Sequence, residues 1–147
     1  MRRIIAFVGM AGSGKSIATD IAVTLGFTPV HFGDAVMDEI ARQGLPVNER
    51  SERKIREDLR KRHGIAAFAV LAIPRIDRIP GDVVIDGLYS WQEYQALRER
   101  YPKIKVIAVC ASPRTRYARL KVRPDRPLST EEARARDVSE IENLDKG

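Results

Sequence analysis

The stretch Gly9-Met10-Ala11-Gly12-Ser13-Gly14-Lys15-Ser16 decides the fold. It matches G-x-x-x-x-G-K-[ST], the pattern of a loop that wraps around phosphate groups, and is called the phosphate loop below. The apolar segment 4–8 precedes it and predicts a strand buried on both faces. Segment 17–25 follows with apolar residues at helical spacing, and Gly26 predicts its end. Strand, glycine-rich loop and helix in this order predict a nucleotide-binding site.

The residue types of the phosphate loop explain why it would bind an anion. Its glycines let the backbone wrap around a phosphate, and the start of the next helix offers unpaired N–H groups. Lys15 is predicted to reach the β- and γ-phosphates of ATP, and the Ser16 hydroxyl to bind Mg²⁺. The alternative is a glycine-rich turn without a ligand. The predicted nucleotide contacts in this region are Gly9, Ala11, Gly12, Ser13, Gly14, Lys15, Ser16 and Ile17.

Composition narrows the possible functions. The 147 residues, 44% of them hydrophobic, predict one domain over 1–147. No apolar run approaches the length of a membrane span, and the start lacks a signal-peptide pattern. The lone Cys110 excludes an internal disulfide; we expect a buried, inert thiol in a reducing cytoplasm. The net charge of +6 fits nucleic acid or a polyphosphate ligand, and the lack of a basic block interleaved with aromatics favours the latter.

Two acidic residues follow predicted strands. Segment 28–33 predicts a second strand followed by Asp34, and segment 82–86 predicts a third strand that closes on Asp86. The carboxyl ends of parallel strands form the ligand crevice of an open sheet. Asp86 is therefore predicted to hold Mg²⁺ opposite Ser16. Two interpretations of Asp34 stay open: it orients the hydroxyl of an acceptor substrate, or it caps a helix over 35–42.

The middle of the chain predicts helices. Segment 50–62 is rich in charge and predicts a solvated helix, which leaves open whether one or two arginines turn towards a phosphate. Segment 65–79 predicts an apolar helix that Pro74 kinks or ends early. Segment 90–100 predicts a helix whose apolar stripe favours core or lid packing over base stacking; the stripe comprises Trp91, Tyr94 and Leu97.

The last third of the chain is rich in arginine. Ser112 and Pro113 predict the start of a helix, on which Arg116, Arg119 and Arg123 share one face. Guanidinium groups stabilise the charge that spreads over a transferring phosphoryl group, so a flexible lid over the active site would use them. The alternative is an exposed basic helical hairpin. Further arginines follow at Arg126, Arg134 and Arg136.

Four motifs together resemble the P-loop small-molecule kinases of the adenylate kinase and dephospho-CoA kinase type: GMAGSGKS, VVIDGLYSWQEY, ASPRTRYARL and EEARARDVSEIENLDKG. The resemblance covers essentially the whole chain and is closer still to a prokaryotic family of kinase-like ATPases. It implies a three-layer α/β/α fold with a parallel sheet in the order 2-3-1-4. It also implies an acceptor-binding region at 34–79 and an arginine lid at about 119–136. Only four strand patterns are visible, so we expect the usual fifth strand to be missing and one sheet edge to be bare or covered by another chain.

The resemblance also assigns residues. It implies that Asp86 is the acid after the third strand and that Arg119 and Arg123 are lid arginines over the nucleotide. Two departures concern the acceptor, because Met37 and Leu88-Tyr89-Ser90 stand where nucleoside monophosphate kinases carry phosphate-gripping arginines. The predicted catalytic residues are Lys15, Asp34, Arg119 and Arg123. The predicted metal ligands are Ser16 and Asp86.

These patterns predict a Mg·ATP-dependent kinase that acts on a nucleotide or a small metabolite. The missing acceptor arginines leave open a slow ATPase or a nucleotide-dependent binding protein. A nucleic-acid-binding module rests on the net charge alone. The expected partners are a nucleoside triphosphate and a small-molecule or nucleotide acceptor, with no membrane, and an oligomer is left open.

Overall fold

Strands and helices alternate along the chain as the sequence predicts. The computed structural model describes residues 1–142, except for the side chain of Glu49. The strands are β1 (Ile4–Val8), β2 (Thr28–His31), β3 (Val83–Asp86) and β4 (Lys105–Ala108). The helices are α1 (Lys15–Thr24), α2 (Asp34–Arg42), α3 (Glu49–His63), α4 (Ala67–Arg78), α5 (Trp91–Arg100), α6 (Pro113–Val122) and α7 (Thr130–Glu142).

The sheet confirms the predicted topology. All strand pairs are parallel, and the order is β2-β3-β1-β4, with no fifth strand among the described residues. The register places Ala6 beside Ile85 and Val106, and His31 beside Asp86. The carboxyl ends of the strands therefore lie at one edge of the sheet, where the phosphate loop begins.

Side chains alternate along β1 and divide the core into two layers. Ile4 and Ala6 point to one face of the sheet, and Phe7 points to the other, where it packs with Ala22 of α1. The first face is the larger core, and α2 to α5 cover it with buried apolar residues that include Ile40, Ile55, Ile76 and Leu97. Apolar residues on both faces of a parallel sheet thus produce the three-layer arrangement.

Pro74 lies inside α4, which continues to Arg78, so the prediction of an early end is wrong. Ala72 and Ile76 are buried in the core on either side of the proline, while Pro74 itself is exposed. Packing of the apolar face outweighs the loss of one backbone hydrogen bond at the proline. No helix within residues 1–142 has both the length and the apolar character needed to cross a membrane.

The β4 edge of the sheet is exposed in the single chain, so a bare edge and an edge covered by another chain both stay open. All four residues of β4 are exposed, and Cys110 just beyond it is also exposed, so the prediction of a buried thiol is wrong. An edge strand has a neighbour on one side only, which explains why an apolar sequence alone overestimated its burial. The helical stripe of α1 is exposed as well at Ile17, Ile21 and Leu25, because α1 turns Thr19 and Ala22 to the sheet instead.

Candidate active site

The phosphate loop requires its glycines for two reasons. Gly9, Gly12 and Gly14 have φ angles of 150°, 77° and 108°, which favour glycine. A Cβ atom on Gly9 would lie 2.3 Å from the carbonyl oxygen of Val109, and one on Gly12 would lie 2.8 Å from that of Arg116. The segment after β4 and the helix α6 therefore pack closely against the loop and stabilise its backbone conformation.

Lys15, the first residue of α1, lies against the start of the loop. Its Nζ atom donates to the carbonyl oxygens of Gly9 and Met10 at 2.5 and 3.1 Å. Burial lowers the pKa of Lys15 from its ordinary value, while the nearby carboxylates of Asp86 and Glu140 act in the opposite direction. A half-buried ammonium group in an acidic surrounding is suited to exchange carbonyl contacts for phosphate oxygens.

The remaining loop atoms fit an anion. Ser13 is buried, and its hydroxyl oxygen has no hydrogen-bond partner among the described residues. The first turn of α1 contains no acidic residue that would oppose an anion at its positive end. The loop therefore contains a buried hydroxyl without a hydrogen-bond partner among the described residues, at the place where the motif predicts phosphate binding.

Asp86 and Ser16 carry the oxygen atoms predicted to bind Mg²⁺. Asp86 ends β3, and its Oδ2 atom lies 3.3 Å from Nδ1 of His31 at the end of β2. A hydroxyl and a carboxylate are hard oxygen donors, as Mg²⁺ prefers. Within residues 1–142 no group of three or more His, Cys, Asp or Glu residues could hold a metal alone. This donor set fits an ion that takes most of its ligands from nucleotide phosphates and water.

The arginines predicted to share one face of α6 make three different contacts. Arg119 donates through Nη1 to the carbonyl oxygens of Gly12 and Ser13 at 3.2 and 3.3 Å, so the structure brings it to the loop. Arg123 donates instead to the carbonyl oxygen of Arg126 at 2.6 Å. Arg116 is buried. The helix packs on the phosphate loop through Arg116 and Arg119, but Arg119 is exposed, so the lid and the exposed basic hairpin both stay open.

A cleft of about 840 Å³ opens beside the loop. Its wall includes Gly9 and Met10 of the loop, and it extends to a second cavity of about 180 Å³ that has Phe32, Val36 and Phe68 in its wall. The residues common to the two spaces are Arg56, Arg60, Tyr89 and Ser90. Two guanidinium groups thus stand between the phosphate loop and a largely apolar chamber.

The sequence left open which arginines of α3 turn inward, and the structure identifies Arg56 and Arg60. Both follow a buried core residue of the same helix, namely Ile55 and Leu59, so they flank the face that packs on the sheet. Arg60 lies over the ring of Phe68, with 5.2 Å from its guanidinium carbon to the ring centroid. The spacing of core and arginine positions was the available signal for this assignment.

Two aromatic residues of α5, Trp91 and Tyr94, line the cleft. Trp91 is 60% exposed, so core packing is wrong for it while lid packing stays open; Tyr94 packs against the larger core, and Leu97 is buried in it. The helix α5 begins with Ser90 as its cap, in a reciprocal pair of hydrogen bonds with Glu93. Glu93 also accepts a hydrogen bond from the backbone N–H of Tyr89. The rings of Trp91 and Tyr94 lie at the cleft with centroids 5.2 Å apart and planes tilted by 45°.

Asp34 stands apart from the two described cavities. It is the first residue of α2, Gly33 is the cap, and no side-chain hydrogen bond caps this helix, so the capping interpretation is wrong. The Asp34 carboxylate pairs with Arg75 at 2.6 Å. Asp34 lines neither the cleft nor the smaller cavity. The sequence correctly placed it after β2 but could not foresee the arginine from α4.

Three solved structures share this fold across most of their length. The structure of TT1252 from Thermus thermophilus has a TM-score of 0.68 at 17% identity, over 99% of this chain and 85% of that one. Shikimate kinase from Bacteroides thetaiotaomicron has a TM-score of 0.58 at 15% identity, over 96% and 78%. A gluconokinase from Sinorhizobium meliloti gives 0.55 at 17%, over 92% and 74%. The P-loop kinase fold implied by the sequence motifs is confirmed.

Sequence relatives are found among archaea. The UPF0200 protein of Methanoculleus marisnigri is 37% identical over 142 residues, which are 95% of this chain and 78% of that protein. The UPF0200 protein of Hyperthermus butylicus is 36% identical over 95% of this chain and 76% of its own length. Residues 5–141 also match the family described as AAA domain. The chain therefore belongs to the UPF0200 family of AAA-domain proteins.

Proposed function

We propose that the protein is a Mg·ATP-dependent kinase that transfers the γ-phosphoryl group to a nucleotide or a small metabolite. One observation carries the proposal: the phosphate loop and the arginine pair of α3 open into the same cleft. Phosphoryl transfer needs a donor and an acceptor side by side. In this cleft the phosphate loop would bind the donor, and the arginine pair of α3 would bind the acceptor. The lone cysteine agrees with a reducing cytoplasm as its compartment.

The donor side uses the phosphate loop. Lys15 would neutralise charge on the β- and γ-phosphates, and Arg119 would add a guanidinium at the loop. Ser16 and Asp86 would hold Mg²⁺, which when bound supplies positive charge to the phosphate oxygens. Arg119 already contacts two loop carbonyls, so a small movement of its side chain is enough to reach a bound phosphate.

The acceptor side supports a kinase over an ATPase. Met37 and Leu88-Tyr89-Ser90 stand where related kinases carry phosphate-gripping arginines, a departure that by itself favours water as the acceptor. Arg56 and Arg60 return two positive charges to the junction between the cleft and the smaller cavity. Glu52 is buried, lies 3.5 Å from Arg56 and also lines the smaller cavity, so it pairs with Arg56 at the cavity wall. A pocket with two oriented guanidinium groups suits an acceptor that carries a phosphate or a carboxylate.

The test is acceptor-dependent ADP formation with a panel of nucleotides and phosphorylated or carboxylated metabolites. We expect one class of anionic acceptor to raise the rate above background and to yield a phosphorylated product. Arg60→Gln should raise the KM for that acceptor by about tenfold or more. Arg53→Gln is the matched control, because Arg53 lies on the same helix and pairs only with the exposed Glu57 among the described residues. ATP turnover that no acceptor changes would favour the slow ATPase instead.

A further inference from the structure

The helix α7 is fastened to the phosphate loop by a buried ion pair. Asp137 accepts hydrogen bonds from Nη1 and Nη2 of Arg116 at 2.9 and 2.6 Å, and from the hydroxyl of Tyr117 at 2.9 Å. Arg116 also donates to the carbonyl oxygen of Ala11 in the loop at 3.2 Å. Ala133 of α7 is buried with Ala11, which adds an apolar contact. Because both partners of the ion pair are buried, the position of α7 relative to the loop is well defined.

Two charged residues of α7 lie next to this anchor and line the cleft. Arg136 and Glu140 are one helical turn apart, and both belong to the cleft wall that includes Gly9 and Met10. Arg136 Nε donates to Oε1 of Glu140 at 2.9 Å. The other carboxylate oxygen of Glu140, Oε2, has no hydrogen-bond partner among residues 1–142. An ordinary i,i+4 pair on a solvated face contributes little, but this pair faces the phosphate loop.

The charges of this pair reach Lys15. The Glu140 carboxylate acts to raise the pKa of Lys15, and the Arg136 guanidinium acts to lower it. The geometry agrees, because Gly9 and Met10, whose carbonyl oxygens accept hydrogen bonds from Lys15, line the same cleft as this pair. A cation and an acid held together beside a phosphate-binding lysine are the pair that transfer to a hydroxyl requires.

We infer that the Arg136–Glu140 pair of α7 acts on the reacting groups: Glu140 binds the acceptor hydroxyl, and Arg136 binds the transferring phosphoryl group. This inference rests on the proposed kinase function and assigns to Glu140 the role that the sequence analysis predicted for Asp34. Asp34 pairs with Arg75 and lines neither cavity, whereas Glu140 lines the cleft beside the loop. Arg136 likewise lines the cleft, whereas Arg123 is bound to the Arg126 carbonyl.

In the phosphoryl transfer, the acceptor oxygen forms a bond to the γ-phosphorus while the bond from that phosphorus to the β,γ-bridging oxygen breaks. The bridging oxygen keeps the electron pair and leaves as part of ADP. The proton of the acceptor hydroxyl passes to Oε2 of Glu140. Arg136 stays hydrogen-bonded to Oε1 and stabilises the negative charge on the transferring phosphoryl group.

The test compares four variants of the full chain. Glu140→Gln keeps the size of the side chain and its hydrogen bond to Arg136 but cannot take the proton, and Arg136→Gln removes the cation. Glu142→Gln and Arg114→Gln are the controls, since both residues are exposed, lie outside the predicted lid at 119–136 and are absent from the cleft wall. Turnover of Mg·ATP with the acceptor panel gives kcat, and calorimetry with Mg and a non-hydrolysable ATP analogue gives donor affinity.

We expect Glu140→Gln and Arg136→Gln each to lower kcat by about 100-fold while the donor dissociation constant stays within about threefold. The controls should keep both values. A Glu140→Gln variant that keeps wild-type kcat overturns this inference alone. A loss of kcat in Asp34→Asn together with wild-type kcat in Glu140→Gln would show that Asp34, and not Glu140, binds the acceptor hydroxyl. A wild-type chain that binds the analogue but never turns over ATP overturns the proposed function, and this inference with it.

Discussion

Arg116 and Asp137 form a buried, two-pronged ion pair, with N···O distances of 2.9 and 2.6 Å. It joins α6 to α7, and through the Ala11 carbonyl it also joins both helices to the phosphate loop. Local sequence placed both residues on helices but gave no sign that they would meet, because they are 21 residues apart and both would normally face water. The pair therefore connects the stability of the C-terminal helices to the shape of the donor site.

Asp137→Asn should lower the free energy of unfolding by about 3 kcal/mol, because it leaves the Arg116 guanidinium buried without its counter-charge. Chemical denaturation monitored by circular dichroism measures the change. Glu57→Gln is the control, since it breaks an exposed ion pair with Arg53 and should cost less than about 1 kcal/mol. Equal losses of unfolding free energy in the two variants would mean that the buried ion pair stabilises the fold no more than an exposed one.

The same pair predicts a dependence on pH. The Arg116 guanidinium lowers the pKa of Asp137 below its ordinary value, so the folded state holds the ionised carboxylate more strongly than the unfolded state does. This contribution is present above the unfolded pKa of about 3.9 and disappears as the pH falls through the lower, folded pKa. The difference in unfolding free energy between wild type and Asp137→Asn should thus be constant from about pH 6 to 8 and shrink below about pH 4. A difference that grows in acid would contradict the assignment.

Gly12→Ala should destabilise the chain by about 2 kcal/mol and weaken Mg·ATP binding. Its φ angle of 77° disfavours a side chain, and the new Cβ atom would meet the Arg116 carbonyl oxygen at 2.8 Å. Gly81→Ala is the matched control, as nothing lies within 4 Å of its Cβ position. Thermal unfolding and calorimetric titration report the two effects. If the two variants behaved alike, close packing of α6 on the loop would not be needed.

Cys110 should react with a thiol reagent in the native protein. The side chain is exposed beyond the end of β4, so one thiol per chain should be labelled without denaturant, at a rate close to that of the unfolded chain. Mass spectrometry measures the modification, and Cys110→Ser controls for labelling elsewhere. Protection of the thiol until denaturant is added would show that something covers the β4 edge in solution.

The sequence predicted the elements that depend on local pattern. The phosphate loop, the four strands and their order, and the start of α6 at Ser112 and Pro113 all follow from residue type and spacing, or from a resemblance that rests on them. The ends of helices were harder to predict from the sequence. For example, α4 continues through Pro74 because Ala72 and Ile76, on either side of the proline, are buried in the core.

Features that depend on tertiary contacts could not be read from the chain. Asp34 meets Arg75 across 41 residues, and Trp91 is exposed although it lies on an apolar stripe. The exposure of Cys110 follows from the edge position of β4. Glu140 is the clearest case, because its motif was visible but only the packing of α7 turns it towards the cleft.

Nucleotide binding by the phosphate loop is best tested by calorimetric titration of Mg·ATP into the folded wild-type chain, with Lys15→Ala beside it. We expect a clear binding heat for wild type and at least a tenfold loss of affinity, with no loss of folding, in Lys15→Ala. The absence of heat with both ATP and GTP in the presence of Mg²⁺, on well-folded wild-type protein, would contradict it.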